Sequence, residues 1–117
     1  MSAHHLDLDA LRIGPTAALF EGGPQADVGV TMFIVRTPPG RFVELHTHPY
    51  TETFVLLEGE GRWTAGDEVI EASAESIITV PPETLHGFRN TGQEPFLLVT
   101  VHEGPTLVQE FTDREPA

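Results

Sequence analysis

The sequence predicts an all-β domain, a sandwich or a barrel, and three observations carry that prediction. Short runs rich in Val, Ile, Phe and Thr recur at regular spacing along most of the chain. Gly, Pro, Asn and Asp separate them, and no apolar pattern of helical period competes over a useful length. The 117 residues suffice for one core and are too few for two.

Residues 1–15 are polar and weakly patterned and read as an N-terminal arm, within which "LDLDALRI" suits an edge strand or a short helix. Residues 16–117 read as the barrel domain. Its strand-like runs are "VGVTMFIVRT", "RFVELHTH", "TETFVLLEG", "GRWTA", "DEVIEA", "SIITV", "LHGFRN", "PFLLVTVH" and "TLVQEF". Gly66 and Asp67 between two of these runs suit a tight hairpin, and "NTGQEP" from Asn90 to Pro95 makes a turn before the next strand. No internal repeat, low-complexity segment or linker divides the chain.

Composition narrows the chemistry. The formal charge of −12, from six Arg against eighteen Asp and Glu, repels phosphate backbones, so no nucleic-acid partner is expected. The chain has no Cys and no Lys, which removes disulfides, thiolate nucleophiles, thiolate metal ligands and a Schiff-base lysine together. No apolar run reaches the ~18 residues of a membrane span, and the N-terminus lacks a basic segment followed by an apolar one. A cytoplasmic protein without membrane association is the expectation.

The stretch "GRFVELHTHPYTETFVLLEG", Gly40 to Gly59, holds three potential metal ligands. In a strand, residues i and i+2 share a face, which sets His46 and His48 on one side with Glu44 and Phe42 behind them. Two imidazoles on one face can reach a single ion, and a turn at Pro49 and Tyr50 brings Glu52 back as a third corner. By the same alternation Phe42, Phe54, Leu56 and Phe88 share the ligand face as apolar walls, and Tyr50 is a candidate phenol near the mouth. On "PFLLVTVH" one face carries Phe96, Leu98, Thr100 and His102. His102 is then a pocket acid, base or hydrogen-bond donor, or else a rim histidine. The opposite faces carry Val43, Leu45, Val55 and Leu57, too apolar for a sheet face left in water; they pack under a second strand layer or against a partner subunit. His4 and His5 lie in the arm and receive no role.

Gly40, His46, His48, Glu52 and Gly59, with intervals of five, one, three and six residues, resemble the first conserved motif of the cupin superfamily without a mismatch. "ESIITVPPETLHGFRN" is similar to the second motif, with Pro81, His86 and Asn90 in place, but Glu75 and Glu83 stand where the family has glycines. The resemblance covers Gly40 to Asn90. It implies a single-domain cupin jelly-roll barrel (double-stranded β-helix) of the small bacterial type, with His46, His48, Glu52 and His86 as metal ligands. Three imidazoles and one carboxylate suit one divalent transition metal, Fe, Mn, Ni, Cu or Zn, rather than Ca or Mg. Six-coordinate geometry then leaves two positions for water or substrate. For function the resemblance implies an enzyme of dioxygenase or isomerase type acting on a small oxygen-rich molecule. The alternative is a non-catalytic ligand-binding or sensing module. A homodimer, common among small cupins, would cover the apolar outer faces.

Overall fold

Period-2 alternation and turn residues fix eleven strands along the chain, as seen in a computed structural model that describes residues 2–117; Met1, the first residue of the expected arm, lies outside them. In order they are β1 (Arg12–Gly14), β2 (Ala17–Glu21), β3 (Thr31–Thr37), β4 (Phe42–Thr47), β5 (Glu52–Glu58) and β6 (Glu60–Ala65). Then come β7 (Glu68–Ser73), β8 (Ser76–Val80), β9 (His86–Asn90), β10 (Phe96–His102) and β11 (Glu110–Phe111). "LDLDALRI" does both things open to it: Leu8–Leu11 is a 3-10 turn and Arg12–Gly14 an edge strand. A short helix α1 (Gly22–Ala26) follows β2 and ends on Asp27 in the left-handed region. Among the described residues no helix is long and apolar enough to cross a membrane.

The strands form two antiparallel sheets, ordered β1-β2-β3-β10-β5-β8 and β11-β4-β9-β6-β7. This is the jelly-roll barrel that the sequence predicts. Register across the six-stranded sheet aligns Phe33, Thr100, Phe54 and Ile78 in one row and Ile34, Val99, Val55 and Ile77 in the next. Adjacent rows face opposite ways, so the first row points into the barrel and the second outward. The closed end of the barrel is filled by Trp63, Phe96, Leu98, Leu56, Phe54 and Phe88, nearly all inaccessible. Trp63 stacks on Phe88 and Phe96, with centroids 5.4 and 5.8 Å apart.

Two irregularities aim the other end. Val43 pairs with Phe88 and His46 with His86, so three residues of β4 are spanned by two of β9: a β-bulge at Glu44 and Leu45. Gly87 sits opposite it, where an added Cβ would lie 2.5 Å from the Val43 carbonyl oxygen. Only a residue without a side chain permits that approach. The second irregularity answers the missing motif glycines. Glu75 and Glu83 keep the left-handed backbone, with φ of 69° and 61°. Each is anchored by its N–H, Glu75 to the Leu56 carbonyl at 2.7 Å and Glu83 to the His48 carbonyl at 2.8 Å. The turns are thus preserved at a cost of about 1 kcal/mol each in backbone strain.

Candidate metal centre

His46 and His48 enter from β4 and the residue just past its end, Glu52 opens β5 and His86 opens β9. Their ligand atoms all lie within 4.8 Å of one another, and all four residues are buried. The bulge makes this possible, because it sets His46 directly across from His86, ring centroids 4.3 Å apart.

Each of the three imidazoles is held by its Nδ1, which donates to a backbone carbonyl: His46 to Glu44 and His48 to Val108, both at 2.8 Å, and His86 to Thr84 at 2.7 Å. A neutral imidazole has one N–H, so this tautomer leaves Nε2 as a bare lone pair. Yet His48 Nε2 and His86 Nε2 lie 3.0 and 2.9 Å from Glu52 Oε1, itself an acceptor. His48 Nε2 is fully buried and has no hydrogen-bond partner. Acceptors crowded together away from water require a cation between them, a proton or a metal ion. The donor set fits a divalent transition metal, as the carbonyl-pinned rings are those of a prepared metal site.

The charges agree with this. Burial is the largest influence on His46 and holds its pKa down to about 4, so the ring is neutral and available as a ligand. Burial also opposes charge on His48, but Glu52 and the Val108 carbonyl outweigh it and raise its pKa. Burial by itself would raise the Glu52 pKa; His102, His48 and His86 outweigh that and hold the carboxyl well below its ordinary range. The carboxylate is ionised and surrounded by nitrogen.

The predicted pocket residues divide. His102 is 1% exposed, pairs with Glu52 across β10 and β5, and brings Nε2 to 2.7 Å from Glu52 Oε2. Neither of its ring nitrogens is aligned in a hydrogen bond. It is a pocket histidine, not a rim one. Phe88 lines a cavity of about 250 Å³ that also touches His46, Glu52 and His102. Phe54 lies behind the centre in the core, its ring edge-on to His86 at 6.0 Å.

Phe42 is not in the pocket: the bulge reverses the alternation, so Phe42 is 38% exposed with the Arg89 guanidinium 4.5 Å over its ring, and Val43 lines the cavity instead. Tyr50 stacks on His48 at 5.4 Å, but its phenol turns away from the cavity. It donates to the Thr106 carbonyl and accepts from the Val108 N–H at 2.9 Å, and burial raises its pKa. The segment it holds, residues 106–111, went unnoticed in the sequence as part of the site, although it supplies the Val108 carbonyl, Gln109 and Phe111. Phe111 stacks on His46, centroids 4.6 Å apart. Gly87 was also legible, since a lone glycine inside a strand-like run signals a bulge or a close approach.

The family model described as "Cupin domain" matches residues 33–102. The chain belongs to the cupin family. It is 29% identical over 73 residues to a mannose-1-phosphate guanylyltransferase of Salmonella typhimurium, covering 62% of this chain and 15% of that protein. To a gentisate 1,2-dioxygenase of Haloferax it is 33% identical over 71 residues, covering 61% of this chain and 20% of the other. Among solved structures, an oxalate decarboxylase of Bacillus subtilis, described with Mn(II) centres, superposes with a TM-score of 0.75. That match has 20% identity and covers 81% of this chain and 27% of the other, which shows a shared fold. The chain thus spans a fifth or less of the two curated relatives.

Proposed function

We propose that this cupin is a metal-dependent enzyme acting on a small oxygen-bearing substrate, in a reaction of dioxygenase or isomerase type. One observation carries the reading: three buried imidazoles, each with Nδ1 bonded to a carbonyl, and one carboxylate converge beside a cavity that reaches His46 and Glu52. A structural site closes its coordination with protein ligands, whereas a cavity against the ligands leaves room for an exchangeable one. When bound, a divalent ion supplies Lewis acidity and, if it is Fe, Mn, Ni or Cu, a meeting point for substrate and dioxygen. The chain's own residues set its surroundings. The Nδ1 bonds fix ring orientation, Glu52 offers the negative charge, and the residue 106–111 segment holds His48 through the Val108 carbonyl and lays Phe111 on His46. The likeness to a gentisate dioxygenase and to an oxalate decarboxylase is compatible with this class of chemistry.

The test is metal analysis of protein purified without added metal, then spectroscopy of a Co(II)-substituted sample. One metal per chain and a spectrum that responds to small oxygen chelators are expected. A closed tetrahedral spectrum indifferent to them leaves a metal-braced binding module instead. We also propose that the outward face carrying Val55, Leu57 and Ile77 meets a second copy of the chain, since Ile77 is 69% exposed and Leu57 43%. Light scattering that finds a monomer at micromolar concentration refutes the pairing.

A further inference from the structure

The cavity beside the ligands has walls of one chemical kind. Phe33, Val35, Val43, Phe88 and Phe111 form them, with Ala17 at one side. At about 250 Å³ it falls below the ~300 Å³ at which pockets begin to take drug-sized ligands. Apart from His46 and Glu52, its polar contributors are Thr100, Gln109 and His102. Thr100 Oγ1 already accepts the Phe33 N–H at 3.3 Å, and His102 is turned to Glu52.

Among the described residues, histidine is the sole basic side chain at the cavity, and His102 is already paired with Glu52. None of the six arginines lines the cavity, and the chain has no lysine. Arg36, Arg62 and Arg89 are each engaged with a glutamate elsewhere, Glu58, Glu71 and Glu115. A divalent ion with three neutral imidazoles and one carboxylate carries one net positive charge. A singly charged head group balances it. A second, remote carboxylate would lie against phenylalanine and valine with no arginine or lysine beside it, which is unfavourable.

Resting on the metal-dependent reading above, we infer that the site takes a small neutral or singly anionic chelator. Its oxygen-bearing head binds at the metal, its apolar body lies against Phe33, Val35, Val43 and Phe88, and a chelator with a second carboxylate remote from that head is disfavoured. Phe111, half exposed and stacked on His46, meets the same body from the C-terminal segment.

Three probes with a common 2-hydroxy acid head separate the contributions: glycolate, which has no body; mandelate, with a phenyl body; and 4-carboxymandelate, with a charged one. Each is titrated into the Co(II)-loaded protein and followed by its visible spectrum. Mandelate is expected to bind about tenfold more tightly than either of the others, a gap set by body burial on one side and an unpaired charge on the other. Gln109→Arg, at an exposed position lining the cavity, should raise 4-carboxymandelate affinity about fivefold or more relative to that of mandelate through the new countercharge. Equal binding of all three probes overturns the substrate class and leaves the open metal site standing. So does a charged probe as tight as mandelate, or a Gln109→Arg protein that still rejects it. A spectrum that responds to none of the three overturns the metal-dependent reading itself.

Discussion

Replacing Glu83 by glycine should stabilise the protein, although it deletes a side chain. Glu83 holds φ at 61°, where an L-residue with a Cβ is strained by roughly 1–2 kcal/mol. Glycine removes that strain but adds about 0.4–1 kcal/mol of unfolded-chain entropy. The net gain is about 0.5–1 kcal/mol. Unfolding entropy near 2.1 cal/mol/K per residue gives roughly 250 cal/mol/K for a domain of 117 residues, so Tm should rise by about 2–4 °C. The Glu83 N–H bond to His48 is a main-chain bond and survives the change, so metal affinity should stay constant. The assay is urea unfolding of the chelated protein beside Glu83→Ala. Alanine keeps the strained φ and should give no gain. If the two variants are equally stable, or if glycine destabilises by more than ~0.5 kcal/mol, the strain argument is wrong.

Three further outcomes follow from the same geometry. Chelation should lower Tm of the metal-loaded protein, and His48→Ala or His86→Ala should cost about a hundredfold or more in metal affinity by isothermal titration, while His4→Ala and His5→Ala change nothing. Gly87→Ala should destabilise by about 1–3 kcal/mol in urea and weaken the metal, since its Cβ would meet the Val43 and Glu44 carbonyls; a neutral result would deny the close approach. In the metal-free protein, the His46 pKa of about 4 lies below its unfolded value of 6.5, so the unfolded chain takes up a proton first as pH falls. His46 should therefore cost about 3 kcal/mol of stability between pH 6.5 and 4, and Glu52, with its lowered pKa, should add a loss below pH 4.5. His48, with a raised pKa, acts the other way, favouring the fold below 6.5 and losing that contribution above it. Urea midpoints for wild type and His46→Gln across that range measure the difference, and identical slopes would refute the assignment.

Features that depend on neighbours along the chain were legible in the amino-acid order. Alternating apolar residues and Gly, Pro and Asn turns defined the strands from β3 onward, and His46, His48 and Glu52 lie within seven consecutive residues, so their nearness along the chain was legible although β4 and β5 belong to different sheets. Glu75 and Glu83, standing where the cupin motif has glycines, marked two turns, and the structure decided that both keep left-handed backbone. Features that depend on a partner strand became definite in the folded barrel alone. β2, "AALFE", lacks the β-branched residues that mark a strand and is one because β3 pairs with it. The bulge at Glu44 and Leu45 is a property of β4 against β9, and it turned Phe42 out to Arg89 and Val43 in to the cavity, the reverse of simple alternation. The carbonyl that pins His48 comes from Val108, sixty residues away, and Phe111 reaches His46 from the same segment. Local periodicity sets which residues face alike within a strand. Register, bulges and long-range caps are set by the energy of packing one strand on another, and a single chain's pattern does not encode them locally.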